Sequence, residues 1–118
     1  MKYQKLFAPL QVGSLTFRNR ILSGPNMMCA LNPDGSPTDY MVGYYEEKAK
    51  GGVAQVTVGD TPVEERGFTT PRHPILSQKT VQKWSEVARA ITQHGAVASI
   101  ELNHGGRISN TAVTGFQT

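Results

Sequence analysis

Cysteine is almost missing from this chain of 118 residues, since Cys29 is the only one. A single cysteine excludes an internal disulfide and a metal cluster built from several cysteines, and it is typical of a reducing compartment. Long apolar runs are missing too, because nowhere do about 18 apolar residues follow one another and the basic start lacks the apolar stretch of a signal peptide. We therefore expect a cytoplasmic protein with no membrane partner.

The excess of positive over negative charge is also small. Lys and Arg outnumber Asp and Glu by only 12 to 9, and the basic residues do not alternate with aromatic ones. We therefore expect no nucleic-acid partner. The chain has no Gly-x-Gly-x-x-Gly after a strand pattern and no Gly-x-x-x-x-Gly-Lys-Ser/Thr. These absences disfavour a Rossmann dinucleotide site and a P-loop.

What is present begins with strand patterns. Leu10–Val12 and Leu15–Phe17 alternate around a Gly-Ser pair, which predicts a small hairpin. Residues 20–23 predict the first strand of the main body. We expect it to stop at residues 24–25, because Pro25 has no amide hydrogen for a ladder bond.

Two amphipathic helices separate the later strands. Thr38 is the predicted N-cap of the first helix, and Gly51 begins the pair of glycines that ends it. Ser77 or Thr80 caps the second helix, which Gly95 ends. The apolar stripe predicted to face the sheet on the second helix consists of Val81, Trp84, Val87, Ala88 and Ile91.

Residues 53–58 and 96–102 are rich in β-branched and apolar residues and predict two more strands, the first of them stopping at Gly59. A long loop over residues 63–75 is predicted between the strand at residues 53–58 and the second helix. The order hairpin, β, α, β, α, β predicts parallel pairing in an α/β fold. Because a (β/α)₈ barrel takes about 250 residues, we interpret residues 1–118 as the N-terminal portion of a TIM barrel, about three β/α units after a hairpin, with the remainder of the barrel absent.

Three segments carry a specific resemblance. Residues 6–21, LFAPLQVGSLTFRNRI, are similar to the opening "LFxPLxxGxxxxxNRI" of one enzyme family. Residues 44–53 resemble its first helix and second-strand entry, and residues 101–107, ELNHGGR, resemble its "QLxHxGR" motif. Over nearly its whole length the chain therefore resembles the Old Yellow Enzyme and 2,4-dienoyl-CoA reductase family of NADH:flavin oxidoreductases.

The resemblance implies an FMN-dependent oxidoreductase that takes hydride from NAD(P)H and reduces an activated C=C bond in a small unsaturated substrate. It leaves open the substrate, the choice between NADH and NADPH, and whether an iron–sulfur cluster and FAD occur in a longer parent protein. The family's catalytic groups and phosphate site correspond to positions after Thr118, so the resemblance implies that the fragment alone is inactive. The residues implied to contact the flavin are Pro25, Asn26, Met27, Gly59, Asp60 and Glu101.

Three of these positions depart from the family. Asn26 stands where Met is usual, Met27 where Thr or Cys is frequent, and Glu101 where Gln is usual. The last difference matters most for chemistry, because an amide both donates and accepts hydrogen bonds whereas an ionised carboxylate only accepts.

Other interpretations stay open beside this one. His104 is a lone histidine with no second ligand at metal spacing, so we expect no metal site and a loop-orienting role. The chain could be a non-catalytic fragment that associates as a homo-oligomer through open strand edges. A flavin-free barrel lyase is the third option, but it would need a lysine at a strand end, and the three predicted ends carry none.

Overall fold

The fold is described from a computed structural model that covers residues 2–115. A short helix α1 (Gln4–Phe7), not predicted from the sequence, precedes strands β1 (Leu10–Val12) and β2 (Leu15–Phe17). These strands pair antiparallel, so the predicted hairpin is confirmed. Within residues 2–115, no helix has both the length and the apolar composition that crossing a bilayer requires.

The main body is a parallel sheet with two crossover helices. Strands β3 (Leu22–Asn26), β4 (Gln55–Pro62) and β5 (Val97–Asn103) lie side by side in chain order and all run parallel. Helix α2 (Asp39–Lys50) connects the first two, helix α3 (Val81–Thr92) the second two, and α4 (Thr111–Thr114) follows β5. The predicted α/β architecture is therefore confirmed.

The core lies between β4 and the two long helices. Tyr45 and Met41 of α2 are fully buried, and so is Ile91 of α3. Trp84 packs in the same core, and its indole Nε1 donates to the Ile75 carbonyl at 2.8 Å, so its one polar atom stays satisfied. Burial of each large apolar side chain stabilises the fold by about 1.5–3 kcal/mol.

Two predictions for α3 are wrong in detail. Val81 is 47% exposed and Ala88 is exposed, whereas Ala90 is buried, so the packed stripe is rotated from the predicted one. Thr80 occupies the N-cap position, but its hydroxyl donates to the Ile75 carbonyl and makes no cap bond. On α2 the prediction is confirmed, because Thr38 Oγ1 accepts from the Met41 amide at 3.4 Å.

Both early strands run further than predicted at their carboxyl ends. Strand β3 continues through Pro25 to Asn26, and its register shifts between Ser23 and Asn26. Strand β4 continues past Gly59 to Pro62, with a shift between Val58 and Thr61. Each irregularity is a bulge with one extra residue, on β3 in the first case and on β4 in the second. The bulge on β3 accommodates Pro25, because a residue in a bulge does not have to donate a regular ladder hydrogen bond.

Arg18 joins the carboxyl ends of both long helices. Its guanidinium donates to the Ala49 carbonyl at 2.9 Å, to that of His94 at 2.5 Å and to that of Val53 at 2.7 Å and 3.1 Å. The last carbonyls of a helix have no partner within the helix and carry partial negative charge. One half-buried cation therefore satisfies carbonyls at both ends and fixes the crossovers relative to the sheet.

Candidate functional site

The strand ends bring most of the predicted residues to one edge of the sheet. Pro25, Asn26 and Met27 are exposed at the end of β3, Glu101 is exposed near the end of β5, and Asp60 lies half-buried on β4. These five residues are called the rim below. Functional groups of parallel α/β folds collect at this edge, so its composition identifies the candidate site.

The two acidic rim residues are joined by a hydrogen bond. The Asp60 amide donates to Glu101 Oε2 at 3.1 Å, which fixes the carboxylate against the end of β4. In the sheet register, residues 59–60 of β4 stand opposite the single residue Glu101 of β5, so the bulge is what points this amide at the carboxylate. Glu101 Oε1 is left to accept a hydrogen bond from a ligand.

Asp60 has a backbone conformation that favours glycine. Its φ is +50°, and it is the one non-glycine residue with positive φ among those described. Its side chain holds it there: Oδ1 accepts from Asn103 Nδ2, and Oδ2 lies 3.7 Å from His73 Nδ1. Strain of this kind costs about 1–3 kcal/mol and persists only where the surroundings enforce it.

Gly59 lies under the rim and not on it. It is buried, and a Cβ built there would stand 2.6 Å from the Asn26 nitrogen and 2.9 Å from the Pro25 carbonyl carbon. The missing side chain therefore lets β3 and β4 approach each other. A direct flavin contact by Gly59 stays a prediction, but the structure supplies a different reason for glycine at this position.

Tyr45 supports the rim from the helix layer. Its hydroxyl donates to the Asn26 carbonyl at 3.0 Å. Burial raises the pKa of the Tyr45 phenol to about 12, so the hydroxyl keeps its proton and remains a donor at physiological pH. The helix thereby fixes the backbone at the end of β3.

Cys29 is next to the rim but is not activated. Burial and the nearby Asp60 carboxylate both raise the pKa of its thiol, and its Sγ lies 3.5 Å from the Arg72 carbonyl oxygen. A reactive cysteine needs the opposite shift, so the structure favours a protonated, unreactive side chain.

His104 orients the loop after β5. Its Nδ1 accepts from the Gly106 amide at 2.9 Å, and its Nε2 lies 3.0 Å from Glu64 Oε1. The first bond assigns the proton to Nε2, which then donates to the carboxylate. Residues 2–115 hold no group of three potential metal ligands. These contacts support the predicted loop-orienting role.

Sequence reasoning missed three contributors to the site. Asn103 and His73 hold Asp60, and Tyr45 holds Asn26. Tyr45 falls within the pattern of the first predicted helix and gives no separate signal, and His73 lies in a long loop with no periodic pattern. Asn103, two residues after Glu101 on the same strand, was the only one with a signal, since side chains two apart share a face.

Comparison with known proteins assigns the family. Residues 5–117 match the sequence model of the family described as NADH:flavin oxidoreductase / NADH oxidase. The chain is 33% identical over 105 residues to an NADPH dehydrogenase of Halalkalibacterium halodurans, with 87% of this chain and 31% of that protein covered. It is 32% identical over 115 residues to an N,N-dimethylglycine/sarcosine dehydrogenase of Chromohalobacter salexigens, with 92% and 16% covered.

The fold is similar as well. The Old Yellow Enzyme of Trypanosoma cruzi superposes with a TM-score of 0.86 at 25% identity, over 96% of this chain and 30% of that one. The chain thus spans between 16% and 31% of the length of the curated relatives described above. It matches one part of a longer protein in each case.

Proposed function

Since this chain belongs to the NADH:flavin oxidoreductase / NADH oxidase family, we propose that its rim forms one side of an FMN site in an NAD(P)H-dependent oxidoreductase. The proposed reaction is reduction of an activated C=C bond in a small unsaturated substrate. The proposal concerns the whole protein, of which these residues supply the first part of the barrel wall.

One observation carries the proposal: the Asp60 amide donates a hydrogen bond to Glu101 Oε2, and Glu101 Oε1 is left to accept from a ligand. A carboxylate fixed in this way presents an acceptor of defined direction at an exposed edge. The pyrimidine edge of FMN offers a ring N–H that needs such an acceptor. The exposed backbone of residues 25–27 lies beside it, joined to Asp60 through the close approach of Gly59 to Pro25 and Asn26.

The residues of the rim fit FMN on one side of its ring. When bound, FMN would accept hydride from NAD(P)H and pass it to the substrate. The residues of the rim would bind FMN and orient its ring. Glu101 would accept a hydrogen bond from the ring N–H, and the exposed end of β3 would provide a surface for the ring. Tyr45 keeps the end of β3 in place through its hydrogen bond to the Asn26 carbonyl.

The test is reduction and reoxidation of the purified full-length protein. We expect a yellow protein that absorbs at about 450 nm, bleaches with NADPH or NADH under argon, and regains colour when a cyclic enone is added. A full-length protein that stays colourless after reconstitution with FMN would refute the flavin site. A flavin that is reduced by NAD(P)H and never reoxidised by an enone would refute the substrate class alone.

Amine oxidation is a second candidate. It is favoured by the 32% identity to a dehydrogenase of dimethylglycine and sarcosine, and by two carboxylates, Asp60 and Glu101, at the rim. Carboxylates attract a substrate that carries an ammonium group. Here the direction of electron flow decides: an N-methyl amino acid would bleach the flavin without NAD(P)H, and an enone would not restore it faster than buffer.

A further inference from the structure

We propose that His73 is a positioning residue that orients Glu101 toward the flavin through Asp60. The inference rests on the proposed FMN site and adds to it a residue from the long loop between β4 and α3. His73 is 3% exposed, and its imidazole lies between the loop backbone and the Asp60 carboxylate.

The hydrogen bonds assign the tautomer of His73. Its Nε2 accepts from the Thr69 amide at 3.2 Å and from the Thr70 amide at 3.1 Å. A nitrogen that accepts backbone N–H bonds carries no proton, so the proton of the neutral ring is on Nδ1. The Nδ1–H group therefore faces Asp60.

This N–H group has no hydrogen-bond partner. Nδ1 is buried without one, and Asp60 Oδ2 lies 3.7 Å away, which is beyond hydrogen-bond length and within electrostatic range. An unpaired buried donor costs about 1–3 kcal/mol. A side chain that only packed the loop would not need a buried donor without a partner. We therefore infer that the Nδ1–H dipole of His73 acts on the Asp60 carboxylate.

Asp60 transmits this constraint to the rim. Its carboxylate lies between His73 and Asn103, and its backbone has a φ of +50°. A non-glycine residue keeps such a φ only where its surroundings constrain it. Asp60 also donates its amide to Glu101. If the carboxylate turns, the bulge relaxes, the amide turns with it, and Glu101 loses its direction.

The experiment is a double-mutant cycle on the full-length holoprotein. His73→Gln can place its amide oxygen where Nε2 stands, so it keeps the acceptor for Thr69 and Thr70 and loses the donor toward Asp60. The second variant is Asp60→Asn, which tolerates positive φ and keeps an oxygen for Asn103. FMN dissociation constants are measured by fluorescence on deflavinated protein, together with the flavin absorption spectrum and circular dichroism to confirm folding.

We expect His73→Gln to weaken FMN binding about fivefold and to shift the flavin spectrum, because the hydrogen bond from the flavin ring to the Glu101 carboxylate loses its direction. In the Asp60→Asn background the same change should have no further effect. Equal losses in both backgrounds, or none in either, would overturn the inference. A wild type that never binds FMN would instead refute the proposed function.

His94→Gln is the matched control. His94 lies at the opposite end of the strands, where it contacts Glu46, so this variant should bind FMN as the wild type does.

A wild-type measurement covers the case in which His73→Gln does not fold. Nitrogen NMR of histidine-labelled protein should show His73 protonated on Nδ1, with a resonance that moves in Asp60→Asn. A proton on Nε2 would overturn the inference.

Discussion

The charge on Glu101 sets the first expectation at the scale of single residues. A carboxylate beside the pyrimidine edge disfavours the negative charge that develops there when flavin is reduced. We predict that Glu101→Gln raises the flavin reduction potential by about 20 mV, which for a two-electron couple corresponds to a free-energy change of about 1 kcal/mol. Redox titration of both proteins tests it. Coinciding potentials with equal FMN affinity would mean that Glu101 points away from the ring.

Gly59 gives a stability prediction that does not depend on the cofactor. A Cβ at this position would stand under 3 Å from three backbone atoms of β3, so Gly59→Ala should lower the free energy of unfolding by about 1–3 kcal/mol. Gly43 in α2 is the control, because a Cβ there meets nothing within 4 Å and Gly43→Ala should add about 0.5–1 kcal/mol. Urea unfolding compares them. A neutral Gly59→Ala would show that β3 and β4 can separate at no cost.

Cys29 has a pH dependence with a definite sign. Burial and Asp60 raise the pKa of the thiol, so its thiolate fraction at neutral pH is smaller than that of an ordinary cysteine. We predict that iodoacetamide labels it more slowly than free cysteine, with the rate rising only above the usual thiol range. Asp60→Asn should speed the labelling. Faster labelling than free cysteine in the wild type would contradict the assignment.

Some roles of single residues can be predicted from the sequence and others cannot. The place of Glu101 at the rim was predictable, because the ELNHGGR segment carries a recognisable motif. The role of His73 was not, because it depends on a loop that folds back over Asp60. A contact between distant residues leaves no local pattern.

Arg18 is the clearest case at the scale of elements, since it ends two helices at once. Arg18→Met should lower the free energy of unfolding by about 2–4 kcal/mol, because half-buried carbonyls of both helix ends lose a charged donor. Arg20→Met is the control: Arg20 is exposed, and its loss should change stability by less than about 0.5 kcal/mol. Thermal unfolding compares the two. Equal effects would show that the helix ends find other donors.

The elements also show where local rules stop. Thr38 and Gly51 bound α2 as predicted, because capping and chain reversal depend on residues within one turn. The ends of β3 and β4 were placed too early, because each bulge depends on the neighbouring strand. Pro25 and Gly59 are typical strand breakers, and only pairing shows that the strands continue past them.

At the scale of the molecule, the sheet formed by residues 2–115 is open. Among the described residues, no strand pairs with the outer edge of β5, and an apolar groove between α3 and β5 is lined by side chains such as Trp84, Ala88 and Ile100. In a closed barrel the next β/α unit covers both features. The match to one part of longer relatives agrees with this geometry.

The central claim is that FMN lies against the rim. Hydrogen–deuterium exchange of the deflavinated full-length protein, with and without FMN, tests it most directly. We predict slower exchange with FMN in peptides covering residues 24–29, 59–61 and 101–103, and unchanged exchange in Val81–Thr92, which forms the outer helix α3. Protection confined to other segments, with these three ranges unchanged at saturating FMN, would contradict the claim.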